Sequence, residues 1–246
     1  LVYIYLFINE SLMDLIPKEA LAILPKIDAV WFKKSIDYQF PFCFAMAFIL
    51  GAGLISRDLK NNAVVLYASK PISRWEYFLG KFSVLFFIFM ALLGIVPLFL
   101  FAIQTLVAPV QSQWHLYFWL RYAKIGPALL VYGFVASTTL SLLMMACSSL
   151  TENGRYAGIA FAVFIIGTMI VGPILADYLR SGYPLAISPF YSGIALGDYL
   201  FGLTPDAIVR DLRVGPWSAW IGILSYWIIC GWILNYRVSR RARYGR

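Results

Sequence analysis

The sequence predicts an all-α polytopic membrane protein with six transmembrane helices. Of its 246 residues, 61% are hydrophobic and 13% are charged, whereas soluble proteins average about 25% charged residues. Several apolar runs approach or exceed the roughly 20 residues that a helix needs to cross the hydrocarbon core of a bilayer. We therefore expect these runs to be membrane spans, joined by the more polar segments between them.

The first predicted span is truncated. Residues 1–8 are apolar but far too few to cross a bilayer, so we expect that the numbering starts inside a span whose beginning is missing. The segment does not resemble a signal peptide, because it lacks a basic start and continues with Asn9 and Glu10 instead of a small-residue cleavage site. Residues 9–37 form a predicted connection, either a helix lying in the membrane interface or an ordinary packed loop.

Five further spans follow along the chain. The third of the six contains Pro97, which a membrane helix tolerates when neighbouring groups satisfy the freed carbonyl. The connection at residues 107–125 is rich in aromatic residues that favour the membrane interface, and a long segment, residues 179–215, precedes the last span. The predicted spans are residues 38–56, 77–106, 126–150, 156–178 and 216–236.

The distribution of charge predicts the orientation of these spans. Residues 57–81, the turn at residues 151–155 and the tail from Arg237 together hold eleven basic and three acidic residues, a net charge of +8. The remaining nine basic and nine acidic residues cancel. Because basic residues accumulate on the cytoplasmic side of membrane proteins, these three segments are predicted to be cytoplasmic. Six spans then place both termini in the cytoplasm.

A charged island between the second and third spans organises the rest of the chain. Residues 54–66 contain no proline and are typical of a short helix lying along the membrane surface. Pro71 ends that helix, because the residue before a proline is pushed out of helical geometry. Ser73 can cap a new helix, with Glu76 completing a capping box. The pattern indicates either a mechanical coupling device or a solvated loop that merely follows the positive-inside rule.

The island resembles a known signature. Its sequence, GLISRDLKNNAVVLYASKPISRWEYFLGK, is similar to the segment between the second and third spans of ATP-binding-cassette (ABC) transporter permeases of the type-2 exporter class. The chain has Asp58 where the family commonly has Glu, and Asn61 and Asn62 where the family's linker has Gly. The matching residues are Gly53, Asp58, Lys70, Pro71, Ile72, Ser73, Arg74, Gly80 and Lys81.

The resemblance implies that the transport pathway and the ATPase site lie on different subunits. In this family two permease chains, identical or related, form the pathway through the bilayer, and each inserts its island helix into a groove on a cytoplasmic ATP-hydrolysing subunit. ATP and Mg²⁺ then belong to that partner, and we expect no cofactor in this chain. A bacterial inner (plasma) membrane is the expected location. The implied coupling residues are Arg57, Asp58, Lys60, Asn61, Lys70, Pro71, Ile72, Ser73 and Arg74.

The resemblance also implies a gate at the outer end. Residues 185–203 look like the re-entrant or interfacial helices that close the pathway in this family. Pro189, Gly193 and Gly197 are the candidate gate residues. The spacing of the two glycines suits close helix approach, although glycines of an ordinary loop are the alternative.

The sequence contains no recognisable enzymatic centre. The phosphate-binding pattern GxxxxGK[ST] is missing, since Gly80 and Lys81 are followed by Phe82 and lack the upstream glycine. The single histidine, His115, cannot form a zinc or paired haem site alone. The cysteines each lie in an apolar run and are expected to be packing residues: Cys43, Cys147 and Cys230.

The composition of the spans constrains the substrate. The span interiors are predicted to be essentially free of ionisable residues, with Asp177 at a span end. Because pathways for protons or small ions usually contain intramembrane acids, we expect a lipidic, amphipathic or bulky substrate, or mechanical work on an outside partner. Hydroxyl residues of the fourth span either line a polar path or mediate helix packing. These are Ser137, Thr138, Thr139, Ser141, Ser148 and Ser149.

Two other functions compete with that of a permease. A non-transporting structural or accessory subunit of a larger membrane complex is the main alternative, but such a subunit has no need of the broken and capped helices of the island. A channel is disfavoured because nothing resembles a selectivity filter or a ring of charge. Nucleic acid is not an expected partner, since the basic residues follow the membrane topology.

Overall fold

The structure, a computed structural model, describes residues 29–61, 74–107, 123–204 and 215–244. Within these ranges the chain is helical and contains no strand, which confirms the all-α prediction. The described residues also contain a 3₁₀ helix, Tyr183–Ile187, and two π-helical segments, Ala47–Gly51 and Ala91–Ile95, which interrupt longer helices. The α-helices are α1 Ala29–Asp37, α2 Phe40–Met46, α3 Ser56–Lys60, α4 Arg74–Met90, α5 Val96–Val107, α6 Ile125–Leu150, α7 Gly154–Leu179, α8 Pro189–Leu200 and α9 Pro216–Tyr244.

The described residues include five helical stretches long and apolar enough to cross a membrane. They agree with a polytopic membrane protein. The predicted partial span at residues 1–8 lies outside the described residues. The five stretches are Ala29–Lys60, Trp75–Ile103, Ile125–Leu150, Gly154–Leu179 and Pro216–Arg237.

The helix of the second predicted span begins earlier than expected. Residues placed in a connection up to Asp37 form α1, which starts at Ala29. Phe32 and Ile36 lie one turn apart and are buried, and the Phe32 ring packs edge-on against Phe101 at 5.5 Å. Burial of these apolar side chains stabilises the helix, and two of its charged residues, Lys33 and Asp37, form an ion pair at 3.4 Å. The charges that indicated a connection therefore belong to a packed helix.

Helix α6 is the centre of the bundle. In its most apolar stretch, 72% of the residues are buried inside the protein, whereas the corresponding share is 22 to 33% in the other four candidate spans. It packs against α4, α7, α9 and both π-helical segments. The other spans therefore turn one side toward lipid, while α6 is enclosed by them.

Both π-helical segments contact α6 closely. A Cβ atom on Gly133 of α6 would lie 2.6 Å from the Cα of Gly94 in the second segment. At the first segment, a Cβ on Gly51 would clash with the Met144 side chain of α6. Since a π-helical turn widens a helix locally and is frequent at functional sites, the second and third spans each carry an irregular turn where they meet the central helix.

Candidate functional site

The predicted coupling segment is described in part. The short helix α3 contains Arg57, Asp58 and Lys60, and Asn61 follows it directly. Helix α4 begins at Arg74, whose side chain is outside the described set. Four further predicted residues lie outside the described residues: Lys70, Pro71, Ile72 and Ser73.

A serine of the central helix holds the start of α3. The Ser148 hydroxyl accepts hydrogen bonds from the backbone amides of Ile55 (3.0 Å) and Ser56 (3.1 Å). It also donates to the carbonyl of Ala52 at 3.0 Å. The first amides of a helix have no carbonyl partner within the helix, so Ser148 supplies from α6 what a capping residue normally supplies locally. The position of α3 is thereby fixed relative to the centre of the bundle.

A carboxylate joins α3 to the start of the third span. Asp58 Oδ2 accepts a hydrogen bond from the Tyr77 hydroxyl at 2.8 Å and lies 3.0 Å from Lys81 Nζ. The Lys81 ammonium also lies 5.9 Å from the centre of the Tyr77 ring. The two ends of the charged island, separated in the sequence by its undescribed middle, are therefore brought together. Asp58 serves as an internal anchor of the island.

The other side of α3 faces outward. Leu59 is buried, while Arg57, Lys60 and Asn61 are exposed. The Arg57 side chain folds over Gly53, where an added Cβ would lie 2.7 Å from its Nε. Thus α3 has one anchored face and one exposed, basic face. Such a helix is suited to contact a separate acidic or polar partner.

The three segments predicted to be cytoplasmic meet at one end of the bundle. A cleft of about 700 Å³ lies there between α3, the turn that joins α6 to α7, and the last span. We call this the charged end. Its lining includes Leu59, Thr151, Asn153 and Arg237. The three segments that hydropathy and charge assigned to one side of the membrane are therefore close together in the folded chain.

The candidate gate residues lie at the opposite end, on α8. Pro189 is the first residue of this helix and is buried. Gly193 lines a small apolar cavity of about 40 Å³, together with Tyr132 of α6. Gly197 lies against two side chains, since an added Cβ would be 3.0 Å from Tyr132 Cζ and 3.2 Å from Lys33 Cε. Of the two glycines, only Gly197 is required for a close approach.

A buried ion pair was missed by the sequence analysis. Lys33 Nζ lies 2.5 Å from Asp198 Oδ1, and both residues are buried. Lys33 is also 3.4 Å from Asp37 Oδ2, one turn along α1. Lys33 precedes the predicted span of residues 38–56 and lies near the start of the longer candidate span Ala29–Lys60, so the buried charge is close to one end of that helix. The i,i+4 spacing of Lys33 and Asp37 was the one local signal for it.

No metal centre is evident in the part of the chain that the structure describes. There, no group of three histidine, cysteine, aspartate or glutamate side chains lies close enough to hold a metal ion. The three cysteines are buried and unpaired with one another.

Comparison with known families shows the family to which the chain belongs. The family model described as ABC-2 family transporter protein matches residues 13–200, more than half of the chain. The chain therefore belongs to the ABC-2 transporter family, whose members are the membrane permease components of ABC transporters. No curated protein and no solved structure shows a significant match. The protein is an integral membrane transport subunit.

Proposed function

We propose that this permease is driven by a separate cytoplasmic ATPase subunit that docks on the exposed face of α3. ATP and Mg²⁺ are bound by that subunit, and a second permease chain, identical or related, completes the pathway. The direction of transport is export, or mechanical work on a partner outside, and the location is a bacterial inner membrane. The family membership and the resemblance of the island support this assignment.

The observation that carries the proposal is the two-faced character of α3. Its basic outer face, with Arg57 and Lys60, is available to a partner. Its inner face is bonded to the fourth span through Ser148 and to the third span through Asp58 and Lys81. A displacement of α3 by a docked subunit is therefore passed to two spans at once, as a conformational coupling mechanism requires.

The proposed substrate is lipidic, amphipathic or otherwise bulky. Among the described residues, Lys33 and Asp198 are the only fully buried charged side chains, and they are paired with each other. They provide no chain of acids across the bilayer of the kind that proton and ion pathways use. Transport of a small inorganic ion by the purified complex in vesicles would contradict this part of the proposal.

Co-purification in mild detergent tests the docking site. The variant Arg57→Glu with Lys60→Glu is expected to lose the ATPase subunit, because two exposed cations become anions on the docking face. The matched control is Lys34→Glu with Lys124→Glu, which reverses two exposed cations at the opposite end and is expected to retain the subunit. Retention by both variants, or no ATPase in any preparation, would favour a non-transporting accessory subunit.

A further inference from the structure

A buried ion pair joins α8 to α1. The side chains of Lys33 and Asp198 are 5% and 4% exposed, and their charged atoms lie 2.5 Å apart. The adjacent Gly197 lets α8 approach both Lys33 and Tyr132 of α6 closely. The contact therefore defines one specific position of α8 on the bundle.

Lys33 has a second carboxylate partner on its own helix, so its contact with Asp198 can break without leaving the ammonium unpaired. Asp37, on the same helix as Lys33, lies 3.4 Å from its ammonium. Asp37 also accepts a hydrogen bond of 3.3 Å from the Tyr132 hydroxyl. If α8 moved away, Lys33 would keep Asp37, and Asp198 would be hydrated at the end of the protein. The open form would not contain the unpaired buried charge that makes rupture of such pairs so unfavourable.

The energetics of a buried ion pair fit the same role. Removing two charges from water offsets most of their attraction, so a pair of this kind adds little net stability to the closed form. Its hydrogen-bond geometry nevertheless specifies how the two helices meet. An apolar contact of the same size would instead favour closure through the area it buries. The ion pair thus gives a defined closed position without a strong bias toward it.

We propose that Lys33 and Asp198 form a releasable latch that holds α8 closed over one end of the bundle, with Asp37 as the partner that Lys33 keeps when the latch opens. Helix α8 covers the small apolar cavity lined by Gly193 and Tyr132, so its release exposes the interior between the second, fourth and sixth spans. The latch is a property of this chain alone. Only its control by nucleotide rests on the proposed function.

Cysteine labelling measures the opening of α8 directly. Ala136→Cys is a suitable reporter, because Ala136 of α6 is buried and lines the cavity that α8 covers. The native cysteines at positions 43, 147 and 230 are first replaced by alanine, and the chain is reconstituted in lipid nanodiscs. A water-soluble maleimide is expected to label Lys33→Met and Asp198→Asn at least about tenfold faster than the parent. Lys33→Met leaves the buried Asp198 carboxylate without this cation, and Asp198→Asn removes the charge on α8 that attracts Lys33. Lys34→Met and Asp177→Asn, both at exposed sites, are expected to label at the parent rate.

A double variant separates a latch from a fixed structural clamp. Lys33→Met with Asp198→Leu replaces the pair by apolar side chains, and this variant is expected to label more slowly than the parent because closure then gains apolar burial. Equal labelling of the parent and both single variants would overturn the proposal. A double variant that labels at the parent rate would also overturn it, since other contacts would then hold α8. So would a double variant that labels faster than the parent, since an apolar contact at this position would then not favour closure.

Labelling with and without ATP tests the latch and the proposed function independently. With the ATPase subunit bound, ATP is expected to change the labelling rate of the parent but not that of the apolar double variant. If nucleotide has no effect while the single variants still label faster, the latch stands and the ATP-driven mechanism fails. If nucleotide changes the rate equally in the parent and the double variant, α8 moves without the latch.

Discussion

The hydroxyl of Ser148 on α6 lies 3.0 Å from the backbone amide of Ile55, 93 residues earlier in the sequence. This hydrogen bond ties the start of α3 to the most buried of the five candidate spans in the described residues. The same hydroxyl holds the amide of Ser56 and the carbonyl of Ala52. One side chain therefore satisfies three backbone groups and determines where α3 lies.

The variant Ser148→Ala is expected to loosen α3. Loss of the Ser148 hydroxyl leaves buried backbone amides without a partner, which lowers the free energy of local opening by about 1–3 kcal/mol. Hydrogen exchange at the amides of Ile55 and Ser56 is expected to accelerate. Ser149→Ala is the control, because that hydroxyl bonds only to Ala146 of its own helix in the described contacts. Equal acceleration in both variants would mean that Ser148 has no special anchoring role.

The ion pair of Asp58 and Lys81 is expected to contribute a small but measurable coupling. Their side chains are 16% and 26% exposed, so solvent weakens the interaction and we expect about 0.5–1 kcal/mol. A double-mutant cycle of Asp58→Asn and Lys81→Met, followed by thermal unfolding in detergent, measures it. Strict additivity of the two substitutions would show that the ion pair itself adds nothing to the junction of α3 and α4, which would then depend on the hydrogen bond from Tyr77 to Asp58.

Gly133→Ala is expected to destabilise the contact between α6 and the π-helical segment at Ala91–Ile95. The new Cβ would meet backbone atoms, Gly94 Cα at 2.6 Å and the Leu93 carbonyl oxygen at 2.9 Å. Because backbone cannot rotate away as a side chain can, we expect a loss of about 1–3 kcal/mol in stability. The unfolding temperature measures this effect.

The control for that substitution is Gly167→Ala on α7. Nothing lies within 4 Å of a Cβ at Gly167, and alanine favours a helix over glycine by up to about 1 kcal/mol. This variant is expected to keep or slightly raise the unfolding temperature. If both alanine variants behave alike, the close approach at Gly133 does not limit packing.

The sequence was sufficient for the fold class and for the grouping of the charged segments. Hydropathy identifies apolar helices because each must be long enough to cross a bilayer. The positive charge of the three predicted cytoplasmic segments agrees with their meeting at one end, where Leu59, Thr151 and Arg237 line a common cleft. The early start of α1 was missed because Lys33 and Asp37 made the segment polar, although both are satisfied within the protein.

The specific contacts of both ends depend on tertiary packing. Six hydroxyl residues of α6 are similar in the sequence, and only the folded chain shows that Ser148 meets the start of α3. Lys33 and Asp198 are far apart along the chain, so no local pattern predicts their pairing. The π-helical segments likewise have no sequence signal, since one widened turn leaves the apolar composition of a span unchanged.

Site-specific photo-crosslinking in cells tests the docking of an ATPase on α3 most directly. A photoreactive amino acid is placed at Arg57 or Lys60, and at Lys34 or Lys124 of the opposite end as controls, and the adducts are identified by mass spectrometry. Adducts with a soluble ATPase subunit from positions 57 and 60, without such adducts from the control positions, are the predicted result. If positions 57 and 60 give no ATPase adduct, or if the control positions give it equally, α3 is not the docking helix.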